Sequence, residues 1–476
     1  MKEPTSDQTV SEDKGLSSRH IAMIALGGVI GAGLFVGSSA AIAKAGPGIA
    51  LVFVVVGFLI MAIMRMLGEI VVSDPGRGSF VEYIRLAHGD RIGFASGWLY
   101  WFFWVVVIGS EAIAGAMMLR DWIHLPVWVL SVLLIISMKL VNFFAPKIFG
   151  ECEFWLSSIK VFTIVAFILL ALLYVLHVFG HGVSVHENLF GRRGLFPNGI
   201  VPLLALVPTV LFTMMGSEIS TVAAAETSDP GENVSRVTRT LGLRIMMFYV
   251  SSICLITMIV PWWSLYPGKS PFVAVLKVMG VPGAALIMQI AILSAVLSCL
   301  NSSMYITSRI LTELAIQGDA PAFLVRSAPD KAPRMAITIS SIAGLLVAFS
   351  SIFAPSEIFG FLLNCSGGLI LLTYALIATS YIVLRGRSKR AGTSEHFTMM
   401  LYPYLSIASL IAIILVFVAM LINPGERETA FASLGTAVVC YLMACNFASR
   451  LAPVAISEPV VTEEETKDEE SKDSNA

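Results

Sequence analysis

Apolar residues in this chain gather in long uninterrupted blocks separated by short polar connections, without the strict alternation of a half-buried strand. A bilayer core about 30 Å thick needs roughly 20 apolar residues per spanning helix. The pattern predicts about twelve such helices, at 20–44, 48–72, 92–118, 125–143, 152–178, 200–225, 240–262, 284–316, 336–353, 357–383, 402–423 and 428–449. Barrels are excluded, because their strands alternate. The fold class is an all-α polytopic membrane protein.

Composition agrees. Of 476 residues, 57% are hydrophobic and 13% charged, with mean hydropathy +0.83, whereas soluble proteins are about a quarter charged. Net charge is −1, but the stretch from Glu458 onward carries eight acidic and two basic residues, leaving about +5 on the rest. Residues 451–476 therefore read as a disordered, acidic cytoplasmic tail, 1–19 as a polar cytoplasmic tail, and 20–450 as one transporter domain. The start has no apolar core or small-residue cleavage site of a signal peptide, so the first helix is expected to direct insertion. Six scattered cysteines show no CxxC spacing and read as packing residues.

Orientation follows from Lys and Arg in the connections. Clusters such as Arg77/Arg85/Arg91, Arg236/Arg239/Arg244 and Arg385/Arg387/Lys389/Arg390 fall in the even-numbered loops. Both termini are therefore expected in the cytoplasm, with a plasma membrane (in bacteria, the inner one) as the site. The loops after the second and eighth helices are long enough for short amphipathic helices on that face, serving as gates or as interfacial anchors.

One block departs from a good helix. GGVIGAGLFVG, residues 27–37, has five glycines in eleven positions within a charge-free run from Ile21 to Ala43, although glycine costs roughly 1 kcal/mol against alanine in a helix interior. A weaker break, Gly216-Ser217-Glu218 after Pro208, interrupts the sixth block. Breaks in helices one and six are what an inverted repeat of helices 1–5 and 6–10 requires. Unwound backbone inside a membrane is tolerated when buried in protein or lining a cavity. Half-helix ends at such a place offer N–H groups to a carboxylate and carbonyls to an ammonium, so the expected ligand is a small zwitterion. The glycines could instead only let helices pack closely.

Ionisable residues at membrane depth are functional by default. Glu218, at the second break, could bond freed N–H groups or a residue of helix one, or bind an ammonium directly. Glu111 faces the cavity or bonds a neighbouring helix. Lys160 lies too deep to reach the surface easily; burial disfavours an ammonium, so it could exchange a proton, stand permanently where another transporter holds sodium, or form a static pair. Arg65 and Glu69 are spaced i,i+4 and read as a local pair. Histidine spacing gives no metal site, and no P-loop, GxSxG or HExxH occurs. No enzyme, cofactor or nucleic-acid partner is expected.

GGVIGAGLFVGS, AGPG at 45–48, MRMLGEI, GSF at 78–80, GWLYWFFW at 97–104, FTMMGSE and SCLNSSMYITSRILTELAIQGDAP at 298–321 together resemble the amino-acid permease branch of the amino acid–polyamine–organocation superfamily. Through SRH near the start, AAAE at 223–226 and LYPYL at 401–405, the chain is most similar to bacterial 4-aminobutyrate (GABA) permeases. The resemblance implies the five-helix inverted-repeat fold and proton-coupled import by alternating access, the proton being the only coupling ion. It places Val29, Ile30, Gly31, Ala32 and Gly33 at the substrate carboxylate and amine, with Phe212 closing over the site. Met215 is then a carbonyl donor beside Gly216 and Ser217 at the helix-six break. Glu218 corresponds to the acidic residue after that break, and Lys160 to the lysine at the sodium position of sodium-coupled relatives. Two departures stand out: Ala32 where α-amino acid permeases have Ser or Thr, and Met214 where many have an aromatic. Both suit an ω-amino acid. An α-amino acid permease, an exchanger of the same fold, or a non-transporting sensor are the alternatives.

Overall fold

The computed structural model describes residues 30–77, 79–143, 146–178, 184–219, 221, 230–325, 332–391, 399 and 401–447. Val29, both tails and the AAAE stretch lie outside them. Among the described residues, nine helices are long and apolar enough to cross a membrane and three shorter ones are apolar. In chain order they are α1 Gly33–Ala45, α2 Ile49–Ser73, α3 Asp90–Leu119, α4 Val127–Phe143, α5 Glu151–Val175, α6 Ile200–Thr213, α7 Glu232–Ile259, α8 Ala284–Ile316, α9 Arg334–Ile352, α10 Pro355–Arg387, α11 Tyr404–Ile422 and α12 Arg427–Phe447.

Each falls on one expected span, with two informative differences. The seventh begins at Pro230 rather than near 240, because a polar stretch with the exposed i,i+4 pair Arg236–Glu232 at 2.8 Å continues the helix ahead of the apolar run. The sixth is interrupted after Thr213 and is helical again at residues 217–219, and residues 222–225 of its expected span lie outside the described ones. Its start is also stepped. Ile200–Ala205 stops at Leu206, and a new helix begins at Val207 with Pro208 in its first turn, where a missing N–H does no harm.

Helix α3 is apolar all round and organises the bundle, as such a helix must be buried. In its most apolar stretch 78% of residues are buried, against 22% for α12. It touches α4, α8, α9, α10 and α12. The outer surface of the bundle presents Phe58, Phe162, Leu169, Ile287, Leu346 and Ile414, a face suited to lipid.

Polar ties close both ends of α10, whose residues 364 and 385 stand about 30 Å apart along its axis. At one end Glu69 of α2, 2% exposed, forms an ion pair with Arg385 at 2.9 Å and accepts from Arg385 at 3.1 Å, from the Tyr381 hydroxyl at 2.9 Å and from the Met399 N–H at 2.5 Å. The i,i+4 spacing pairs Glu69 with Arg65, on which the Glu69 charge acts, and the packed bundle adds Arg385 and Tyr381 of α10 as further partners. At the other end Lys44 meets Glu426 at 2.8 Å, Asn364 donates to the same carboxylate, and Thr209 of α6 donates to Asn364.

The loop after α2 forms the expected amphipathic helix, Phe80–His88, capped by the Ser79 hydroxyl, which accepts from the Val81 N–H. Its Arg85 bonds Asp319 beyond the end of α8. The loop after α8 contains one 3-10 turn, Ala322–Leu324, and its residues 326–331 lie outside the described ones.

Candidate functional site

The backbone at the start of α1 is not helical at Ile30 and bends at Gly31 before a π-helical turn, Gly33–Gly37, leads into Ser38–Ala45. Such wide turns recur at functional sites. A helix start exposes N–H groups, and here two fully buried charged side chains answer the freed groups. Glu111 of α3 accepts the Ala32 N–H with both oxygens at 3.0 Å. Lys160 of α5 donates to the Ile30 carbonyl at 3.0 Å. The two side chains have no exposure, and a charge so placed persists only when neighbouring groups compensate it.

Close approach demands the small residues here. A Cβ at Gly31 would stand 2.5 Å from Glu111 Oε1 and 2.8 Å from the Cys299 sulfur, and one at Gly33 would stand 2.8 Å from the Phe212 ring. Phe212, 1% exposed, therefore packs directly over the first turn of α1. The Cys299 side chain of α8 lies beside Glu111 against Gly31, which adds a third helix around this turn.

The second locus is the end of α6. After Thr213 the chain turns through Met214, Met215 and Gly216, whose φ of +94° favours glycine, and returns to helical geometry at Ser217. Glu218, fully buried, accepts from the Tyr100 hydroxyl of α3 at 2.9 Å and the Tyr374 hydroxyl of α10 at 3.2 Å. Its side-chain partners thus come from helices three and ten, not helix one. Between the loci runs a cleft lined by Ile30, Met214, Leu241, Arg244, Ile245 and Tyr249.

The structure thus gathers Ile30, Gly31, Ala32, Gly33, Phe212, Glu111 and Lys160 at one place, and Met215, Gly216, Ser217 and Glu218 at a second turn reached through Met214. Val29 lies outside the described residues. Cys299, Tyr100 and Tyr374 went unmarked in the sequence. A cysteine or tyrosine within an apolar helix looks like packing, and only its partner, far along the chain, reveals otherwise. Among the described residues His, Cys, Asp and Glu form no group able to hold a metal ion, and the six cysteines are free.

The amino acid permease family model matches residues 20–448. A relative from Bacillus subtilis (strain 168), gamma-aminobutyric acid permease, is 42% identical over 421 residues, 87% of this chain and 89% of its own length. An aromatic amino acid transport protein of Escherichia coli (strain K12) is 34% identical over 88% of this chain and 92% of its own. Among solved structures, a manganese transporter mutant from Eremococcus coleocola has the same fold with TM-score 0.54 and 13% identity, covering 90% of this chain and 94% of its own. With its apolar helices and a family match from residue 20 to 448, the chain belongs to the amino acid permease family and is a multi-pass membrane permease.

Proposed function

We propose that the protein is a proton-coupled symporter importing GABA or a closely related amino acid by alternating access. In this reading α1–α5 and α6–α10 are inverted repeats, α11 and α12 follow them, and both termini lie in the cytoplasm of a cell whose plasma membrane holds the protein. The observation that carries the proposal is the opening of α1, where a buried ammonium holds the Ile30 carbonyl and a buried carboxylate holds the Ala32 N–H. These are the backbone groups a zwitterion needs.

Binding and protonation are then linked. A substrate carboxylate arriving beside Ala32 meets Glu111 on the same N–H, and two carboxylates sharing one site cannot both remain ionised. Substrate therefore draws in a proton. Loss of a proton from Lys160 weakens its hold on the Ile30 carbonyl and frees the first turn of α1 to move. Phe212 closes over the substrate, and the shift between states follows from differential affinity alone. The residues beside Gly216 complete the site with carbonyls for the amine, Met215 foremost.

GABA as substrate is supported by the name of the Bacillus relative and by Ala32 and Met214, which leave out a hydroxyl and add an adaptable wall. The name of the Escherichia coli relative favours a second reading, aromatic α-amino acids. Competition of labelled GABA uptake into proteoliposomes by a panel of amino acids, at two external pH values, decides between them. Unlabelled GABA should compete best and external acid should stimulate uptake. Stronger competition by an aromatic amino acid favours the second substrate, and uptake indifferent to the pH gradient overturns proton coupling.

A further inference from the structure

Two turns before Lys160 on the same helix stands a carboxylate that the mechanism above does not use. Glu153 is fully buried and stands seven residues, about two turns, after the first residue of its helix, Pro146–Val175, of which α5 is the apolar part. Its Oε1 accepts from the Ser157 hydroxyl at 3.1 Å and from the Ser298 hydroxyl of α8, and its Oε2 from the Asn301 amide at 3.4 Å. Asn301 in turn accepts from Asn142 of α4 at 2.8 Å. Residues 153, 157 and 160 share one face of the helix, and positions seven apart are separated by about 10.5 Å of rise. A helical side chain leans toward the N-terminus, so the Lys160 ammonium reaches back toward Glu153, with the Ser157 hydroxyl on the stripe between them. The charge of Glu153 acts on Lys160, together with those of Cys299 and Glu111.

We propose that Glu153 is the carboxylate through which the coupled proton leaves the site toward the membrane face where α5 begins. An N–H bond of the Lys160 ammonium breaks, leaving the neutral amine, and an O–H bond forms on Glu153. Ser157 relays the proton by giving up its own as it receives that of Lys160. The Glu153 O–H bond then breaks and the proton passes to water at the end of α5, restoring the carboxylate. No other co-reactant is consumed. The titratable groups facing Glu153 are Cys152 and Lys160 on its own helix and Cys299 on α8; the remaining groups around it, Ser157, Ser298 and Asn301, are neutral donors. The inference rests on the symport reading.

The test is Glu153→Gln in the full-length protein reconstituted in proteoliposomes, with labelled GABA. Accumulation driven by external acid should fall about a hundredfold, the scale of a lost proton-transfer group, while exchange of external for preloaded substrate, which needs no proton release, continues near the wild-type rate. Glu153→Asp should recover part of the accumulation. Unchanged accumulation in Glu153→Gln overturns the inference, as does joint loss of accumulation and exchange in folded protein, which marks Glu153 as a tie between α5 and α8. Should Glu153→Gln not fold, Ser157→Ala decides: slower accumulation with exchange intact supports the relay, and wild-type accumulation overturns it. A wild-type protein that exchanges but never accumulates overturns the symport reading itself, a result told apart by appearing before any substitution.

Discussion

The opening of α1 and the turn after α6 solve one problem with different chemistry. Each leaves backbone polar groups without helical partners in a region remote from water. At α1 the partners of Ala32 and Ile30 are ionisable, Glu111 and Lys160, and each takes a single backbone group. At α6 the charge belongs to the turn, on Glu218, and the partners are two phenols, Tyr100 and Tyr374. A phenol stays neutral across the physiological range, whereas an amine and a carboxylate facing each other's charge can trade a proton. In the proposed symport the first locus responds to protons and the second holds its shape.

Lys160→Ala should break this contrast most strongly. It removes the ammonium from the Ile30 carbonyl and should abolish acid-stimulated uptake, measured as initial rates against external pH; a retained pH profile would place the coupling elsewhere. Glu111→Gln keeps an oxygen for the Ala32 N–H but not its charge. Hydrogen bonds to charged groups contribute about 2 kcal/mol, so uptake should drop roughly thirtyfold and lose its acid stimulation. Unaltered coupling would make Glu111 a spacer.

Tyr374→Phe and Tyr100→Phe probe the other side. Each deletes one donor to Glu218 and should destabilise the protein by about 1–2 kcal/mol, read as a lower Tm in detergent, with the pH midpoint of uptake unmoved. A displaced midpoint would show that the α6 turn takes part in proton traffic and would dissolve the distinction. Ala32→Ser should have the smallest effect on rate, since it adds one oxygen beside an N–H already bonded. It should shift competition toward α-amino acids, and identical competition profiles would remove the hydroxyl from the account of specificity.

The membrane helices and the two irregular points were legible because composition and glycine content act locally. Lys160 and Glu111 were legible because a charge inside an apolar run has few innocent explanations. Their partners were not. Nothing near Ala32 points to residue 111, and nothing near Glu218 points to Tyr374, since those bonds span 79 and 156 positions and exist only once helices pack. Glu69 shows both cases at once. Its i,i+4 neighbour Arg65 is legible in sequence, whereas Arg385, 316 positions away, joins it only when the helices pack. Glu153 was not singled out in the sequence, and two of the donors around it, Ser298 and Asn301, come from α8, about 145 positions away.

Helix α3 serves both loci, because Tyr100 and Glu111 project from it toward the α6 turn and the α1 opening. Eleven residues are about three full turns, so the two side chains emerge on nearly the same face, about 16 Å apart along the axis. The helix acts as a gauge bar that fixes the spacing of two contacts belonging to different parts of the transporter. Adding a single residue between positions 100 and 111 would turn one contact by about 100° relative to the other while leaving composition and hydrophobicity nearly untouched. Phase along this helix is therefore as constrained as the identity of its residues, and insertions there are a harsher perturbation than most substitutions.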